Sequence, residues 1–257
     1  MTTASHAQHT NRLLASLPLD EWPRIHPELD WVELPLAATL YEAGDVLRHV
    51  YFPVTAIVSL VSSMRDGACA EVAVVGNEGV AGVCAFIGGD RTHSAAVVQS
   101  AGFAWRMSAT SIAAHANRSA AVMQPLLRYT QALVTHMAQT SACNRHHALD
   151  QQLCRWLLLN LDRRNSHEMV ATQERIATML GVRREGVTVG ALKLQEAGLI
   201  RYCRGRITIL DRPGIEARSC ECYSVVKQAY DRLLDEPSAC RRPPEGAPAR
   251  PLAHCAA

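Results

Sequence analysis

The chain has 257 residues, 48% apolar and 19% charged, with a formal net charge of +2, enough to bury the core of one large or two modest domains. No apolar run approaches the roughly 18 residues of a membrane span, and "MTTASHAQHTNR" lacks the basic start and apolar segment of a secretory signal. Nine scattered cysteines read as reduced thiols rather than a disulfide scaffold, so a cytoplasmic protein is expected.

Residues 1–10 show no periodicity and read as disordered. "RLLASLPLDEWPRIHPEL" reads as a short helical lead-in broken by Pro18, Pro23 and Pro27. From Trp31 to Met107 the pattern becomes short β-like runs: "WVEL", "TLYE", "HVYFP", "AIVSLVSS", "AEVAVV", "AAVVQ" and "FAWRM". Turn compositions such as "EAGD", "RDGA", "GNEG" and "IGGDR" separate them, which predicts an antiparallel sandwich or barrel. A long helix follows over about Ser119 to Asn144. Pro125 is tolerable only near its start, so the helix proper is expected to begin close to that residue. Leu126, Tyr129, Leu133, His136 or Met137, and Thr140 form a stripe at three- and four-residue steps, able to pack on the barrel or on the same helix of a second chain. A second helix is expected over Leu149–Asp162. The Pro- and Ala-rich end, residues 235–257, reads as a disordered tail.

Charge is distributed unevenly. Residues 11–118 hold seven arginines and no lysine against eleven acids, whereas residues 172–212 hold eight basic residues against four acids. A concentrated basic segment in a near-neutral chain points to a module that binds a polyanion. Within it, "TQERIATMLGVRREGVTVGALKLQEAGLIRYCRGRITIL" is the most patterned stretch. Thr172 can cap a helix whose apolar face is Ile176, Ala177 and Leu180, with Glu174 in its first turn. Gly181 suits a tight turn into a second helix that buries Val187, Ala191, Leu192 and Leu194, and Gly198 closes it. "LIRYCRGRITIL" then alternates about Arg204-Gly205, a two-residue hairpin turn. The order helix, turn, helix, hairpin predicts a winged helix-turn-helix. Arg183, Arg184, Glu185 and Thr188, at or near the start of the second helix, are the candidate base readers. A guanidinium can grip a guanine edge with two hydrogen bonds, and a carboxylate can accept from cytosine N4. Thr172, Gln173, Arg201, Arg204 and Arg206 are candidate phosphate contacts, which carry no sequence information.

"IATMLGVRREGVTVGALKLQEAGLI" resembles the DNA-binding segment of the catabolite-activator (Crp/Fnr) superfamily of bacterial transcription regulators. "LYEAGDVLRHVYFPVTAIVSL" resembles the start of that family's cyclic-nucleotide-binding-type β-roll. The resemblance covers about Leu13 to Tyr223. It implies that Arg184 and Glu185 occupy base-reading positions and that the long helix is a dimer helix. It also implies that a two-fold dimer reads two half-sites, with RNA polymerase a further partner. Val189 stands where the activator has another base-reading arginine, so the same site sequence is not implied. The family's nucleotide pocket supplies a carboxylate for the ribose and an arginine for the cyclic phosphate. In this chain Gly82 aligns with the carboxylate and His93, beside Ser94, with the arginine. Arg91 is two residues away and Glu78 about four. The resemblance therefore implies a lost nucleotide site, leaving an unidentified small effector or none. No cysteine precedes Cys69, so the iron–sulfur mechanism of the family's other branch is not expected.

Other constellations are weaker. Cys143 and His146 have a helical metal-pair spacing, and Cys220 and Cys222 with Cys203 offer a second thiol group, but two or three scattered ligands do not make a site, and no metal or cofactor is expected. His49, His93 and His115 lack the His-x-His pair and carboxylate of a cupin metal enzyme. Neither a Gly-x-Ser-x-Gly elbow nor a phosphate-binding Gly-Lys-Ser/Thr loop occurs, and no enzyme is expected. The sequence thus predicts an α+β protein: a β-roll or jelly roll over 11–118, a dimerisation helix over 119–146 and a winged helix-turn-helix over 147–223. It would bind double-stranded DNA as a homodimer on a palindromic site. The competing reading is a small-molecule-binding β-roll or metal enzyme with an appended helical module.

Overall fold

The computed structural model describes residues 11–89, 91–164 and 167–235. The disorder expected for 1–10 lies outside them, as does that expected for 235–257 except at Asp235, which is the last residue of a helix. Two short helices lead in: α1 (Arg12–Ala15) and α2 (Trp22–Ile25), the latter followed by a 3-10 turn at His26–Glu28. Asn11 caps α1 by accepting from Leu14 N–H, and its amide donates to the carbonyls of Pro53 and Gly79 at 2.8 and 2.9 Å. One buried side chain thus pins the lead-in to the roll.

Seven strands follow: β1 (Asp30–Leu34), β2 (Thr39–Tyr41), β3 (His49–Pro53), β4 (Ile57–Ser63), β5 (Cys69–Val75), β6 (Ala95–Ser100) and β7 (Gly102–Ser108). Every expected β run is present. They form two antiparallel sheets, ordered β1-β7-β3 and β2-β6-β4-β5, whose facing apolar sides enclose Val50, Phe52, Val58, Ala96, Val98 and Ala104. Between β5 and β6 lies α3 (Cys84–Ile87), ended by Gly88 in the left-handed region. After β7, Ser108 caps α4 (Ala109–Arg118).

The long helix α5 runs from Ala120 to His146. It begins more than a turn before Pro125, earlier than expected. A proline so close to the N-terminus forfeits only one early intrahelical bond, and Ser119 O anchors the first turn by accepting from the N–H groups of Val122 and Met123. Next is α6 (Leu149–Asp162), as expected, and its residues Gln152 to Leu161 are all buried. A helix buried all round must satisfy its polar groups internally. Gln152 donates to His147 O at 2.8 Å, Asn160 to Trp156 O at 2.9 Å, and Arg155 to Thr140 Oγ1 at 3.2 Å.

The C-terminal module consists of β8 (Glu168–Val170), α7 (Gln173–Leu180), α8 (Arg184–Glu196), β9 (Ile200–Cys203), β10 (Arg206–Ile209), α9 (Arg212–Arg218) and α10 (Glu221–Asp235). The wing is a three-stranded sheet, β8-β10-β9, one strand more than the hairpin read from the sequence. The boundary expected at residue 223 falls inside α10, which instead packs along α5. The C-terminal module also leans on the roll. Trp156 Nε1 donates to Glu71 Oε1 at 3.1 Å, Arg175 to Val98 O at 2.7 Å, and Arg163 Nε lies 2.7 Å from Glu78 Oε1.

Candidate nucleic-acid interface

The helix-turn-helix is assembled by the expected capping, turn and core residues, with one exception on α8. Thr172 Oγ1 accepts from Arg175 N–H at 3.2 Å and so caps α7. Gly181, at φ +66°, ends α7 and turns the chain toward α8. Val187, Ala191 and Leu194 are buried, but Leu192, assigned to that inner face, is exposed. Gly198, at φ +71°, completes a C-terminal cap in which Leu199 N–H donates to Leu194 O at 3.0 Å. At the wing tip Arg204 (φ +49°) and Gly205 (φ +75°) are both left-handed, as a two-residue hairpin turn with the mirror-image twist requires.

Thr172, Gln173, Arg184 and Arg204 line one open groove, with Glu174, Tyr202 and Gly205. Arg183 and Glu185 are exposed beside it. Arg183 is the residue before the first turn of α8, and Arg184 and Glu185 open that turn, where side chains project from the helix end. Arg201 is exposed on β9. Two assigned residues are otherwise engaged. Thr188 is half-buried, with Oγ1 2.8 Å from Gln173 Oε1 and 3.0 Å from Arg184 O, so its hydroxyl joins the two helices and orients Gln173. Arg206 pairs with Glu168 at 3.1 Å, which sets a carboxylate beside the intended phosphate contact. Tyr202 was not singled out from the sequence. Its hydroxyl donates to Ala171 O at 2.7 Å and braces the wing against the start of α7. Its position in the alternating run was the available signal.

The stripe assigned to dimerisation is already covered by its own chain. Leu126 and Tyr129 are 0% exposed, Leu133 1% and Thr140 6%, while Met137 is partly buried against the core. The Tyr129 ring fills the space above Gly79 and lies 6.0 Å from the Tyr230 ring of α10. The opposite face of α5 is open: Gln124, Leu127, Gln131, Val134, Ala138, Ser141 and Arg145 are all exposed. They alternate at three- and four-residue steps, the spacing that a two-helix seam uses.

The four assigned effector residues do not converge. Arg91 is exposed and donates to Gly44 O at 2.7 Å, and His93 is exposed. Gly82 is buried at φ +107° against Leu47 and Val50, and Ser94 is half-buried. Glu78 is turned away from the roll interior, in the ion pair with Arg163. The cupin-type histidines are likewise separate, His115 being 3.1 Å from Glu28 Oε1.

Residues 31–119 match the cyclic nucleotide-binding domain family, and residues 151–218 match the Crp-like helix-turn-helix domain family. No curated protein sequence matches the chain. Among solved structures, the fold is similar to FixK2 of Bradyrhizobium japonicum, with TM-score 0.63, 17% identity, and coverage of 75% of this chain and 98% of that one. It is also similar to the c-di-GMP responsive global regulator CLP of Xanthomonas campestris (TM-score 0.58, 15% identity, coverage 75% and 99%). A CRP/FNR-family transcriptional regulator of Thermus thermophilus aligns with TM-score 0.60 and 18% identity, covering 74% of this chain and 98% of that one.

Proposed function

The chain belongs to the Crp/Fnr superfamily of transcription regulators, and from that premise we propose that it binds specific double-stranded DNA as a homodimer on a palindromic site. One observation carries this reading. Arg183, Arg184 and Glu185 stand exposed at the N-terminal turn of α8, across a groove from Arg204 at the wing tip. That arrangement suits a helix end in the major groove with flanking phosphate contacts. The exposed seam of α5, with Leu127 47% and Val134 59% exposed, supports dimerisation on the outer face of that helix. The working division is a β-roll over 11–118, a dimer helix over 119–146 and a DNA-binding module from 147 through α10. RNA polymerase is the further partner that such a regulator would engage. No helix of the described residues is long and apolar enough to cross a membrane, and we assign the regulator to the cytoplasm.

Cyclic AMP and cyclic GMP are not the effectors in this reading. A buried cyclic phosphate needs a cationic or hydrogen-bonded partner, whereas Arg91 and His93 are both exposed and Arg91 is bonded to Gly44 O. Selection from a random pool of duplex DNA tests the function. The expected product is a palindrome with half-sites about one helical turn apart. A protein that enriches no sequence over the starting pool is not a sequence-specific regulator.

A further inference from the structure

The end of α5 and the start of α10 bring together four metal-ligating side chains that DNA binding leaves unused. Cys143 lies in the last turn of α5, and His147 follows that helix in extended conformation (φ −104°, ψ 149°). Cys220 immediately precedes α10 and Cys222 is its second residue. The three sulfurs and a ring nitrogen of His147 all lie within 4.8 Å of one another. Cys143 Sγ is 3.5 Å from Cys220 Sγ, and Cys222 Sγ is 3.4 Å from His147 Nδ1. A tetrahedral ion with bonds of about 2.3 Å to sulfur and about 2.0 Å to nitrogen separates its ligand atoms by about 3.4–3.8 Å. The sequence spacing pairs Cys143 with His146 and, separately, Cys220 and Cys222 with Cys203; the fold instead joins Cys143, Cys220 and Cys222, with His147 in place of His146 and Cys203. His146 is exposed on the helix, and Cys203 is exposed on the wing.

The surroundings are those of a metal centre rather than of chance thiol packing. The three cysteines are buried and form a small core cluster of their own. The second ring nitrogen of His147, Nε2, is 3.4 Å from Glu221 Oε1. Metal-bound histidines use this carboxylate contact to fix the tautomer and aim the other nitrogen. Gln139 Nε2 donates to Cys222 Sγ at 3.2 Å, a hydrogen bond that favours a thiolate. Buried Arg155, whose Nε has no partner, acts electrostatically on Cys143 and favours its anion.

We propose that Cys143, His147, Cys220 and Cys222 form a Cys3His site for one zinc-type divalent cation, which ties the end of the long helix to the C-terminal helix. Binding changes no oxidation state. Three thiols release their protons to solvent, and three thiolates, a neutral imidazole and a dication leave a net charge of −1 facing Arg155. Because thiols bind such an ion as thiolates, loading is coupled to proton release. Soft thiolate ligands in tetrahedral array select zinc over magnesium or calcium.

Elemental analysis of the full chain, purified under reducing conditions and equilibrated with zinc, is expected to find one equivalent per chain. Cobalt substitution is expected to give the visible bands of a tetrahedral ion together with a thiolate-to-cobalt band. The pair Cys220→Ser and Cys222→Ser should lose the equivalent, whereas Cys203→Ser should keep it. If the double variant fails to fold, wild-type protein stripped by a chelator still decides, because zinc should restore one equivalent and raise its melting temperature by several degrees. Folded, reduced wild-type protein that retains under a tenth of an equivalent overturns the proposal. So does full occupancy in the double serine variant, or a Cys143–Cys220 disulfide in place of the ion. None of these measurements involves DNA, so they stand or fall apart from the DNA-binding reading.

Discussion

Arg184 and Arg204 share a groove but have different expected tasks. Arg184, in the first turn of α8, can reach a base edge, so Arg184→Ala should cost about 1–3 kcal/mol on the preferred site and relax selectivity at one position per half-site. Arg204, on the hairpin tip, is the proposed phosphate contact, so Arg204→Ala should weaken all sequences alike and flatten the salt dependence by about one unit of slope. Competition binding over a base-substitution series distinguishes them, and equal loss on every sequence for Arg184→Ala would remove it from the base-reading set. A third residue makes stability pH-dependent. Burial pushes the Glu71 carboxyl up to about 7 from its ordinary 4.5, against the lowering effects of Ser59, Arg155, Arg163 and Trp156. Its protonated form can donate to Ser59, which then donates to Gln99 Oε1 at 3.1 Å. A carboxyl raised in the folded state contributes stability fully present below pH 4.5 and lost as pH rises through 7. The Glu71 contribution should therefore fall between pH 5 and 8 by roughly 3 kcal/mol at most. Burial holds the His136 imidazole well below its ordinary range and works in the opposite sense, so chemical denaturation of wild type and Glu71→Gln is compared: the difference between them should shrink as pH rises, and identical slopes would exonerate Glu71. Such roles were beyond reach in the sequence. Arg175 counts there as one more charge in a basic run, yet it is bound to Val98 O on the roll.

Helix α5 shows how far periodicity reaches at the level of an element. Leu126, Tyr129, Leu133 and Thr140 are legible as one face, but spacing cannot say what covers a face. The cover is the roll, through β5 and Gly79, together with α10, which begins near the point where the recognisable resemblance ends and which the sequence pattern does not mark as a helix. The outer face, with Leu127 and Val134 among glutamines and small residues, gives a weaker pattern. Two neighbouring substitutions separate the faces. Leu133→Glu inserts a carboxylate into the chain's own core and should cost several kcal/mol of folding stability. Val134→Glu, at a position 59% exposed, should leave the melting temperature of the monomer nearly unchanged while dissociating the dimer. Sedimentation with thermal melts checks both, and a Val134→Glu variant that stays dimeric would move the interface off this helix. The strands and the wing turn are legible for local reasons: alternation marks a half-buried strand, and Arg204-Gly205 demands a tight turn. The thiol–imidazole cluster is not, because His147 lies past the helix end and Cys143 and His147 are more than seventy residues from Cys220 and Cys222.

The largest apolar cluster of buried residues runs from Leu13 in the lead-in to Tyr230 in α10, through both sheets, α5, α6 and the helix-turn-helix. Polar contacts reinforce the junction between the modules. The buried pair of Arg163 and Glu78 is completed by Gly76 N–H, which donates to Glu78 at 3.1 Å, and by the Tyr230 ring, 5.1 Å from the guanidinium carbon. Breaking such a pair from one side leaves an uncompensated buried charge, a loss of about 3–5 kcal/mol. The turn after α7 also sits against the β4–β5 hairpin, where a Cβ on Gly181 would lie 3.4 Å from Ala70 Cβ. Two modules joined by a continuous core and a buried ion pair should melt together. Calorimetry on the full chain should accordingly show one transition, with calorimetric and van't Hoff enthalpies in agreement for the monomeric Val134→Glu variant. Cutting after Asp162 should not release an intact roll with its long helix. It would remove Tyr230 from Tyr129 and His136 and strip the cover from Leu153 and Leu157. The fragment is expected to expose apolar surface, bind a hydrophobic dye and lose a sharp melt. Two separated transitions in the full chain, or a cooperative melt of the 1–162 fragment, would show instead that the roll and the DNA-binding module are independent bodies in contact.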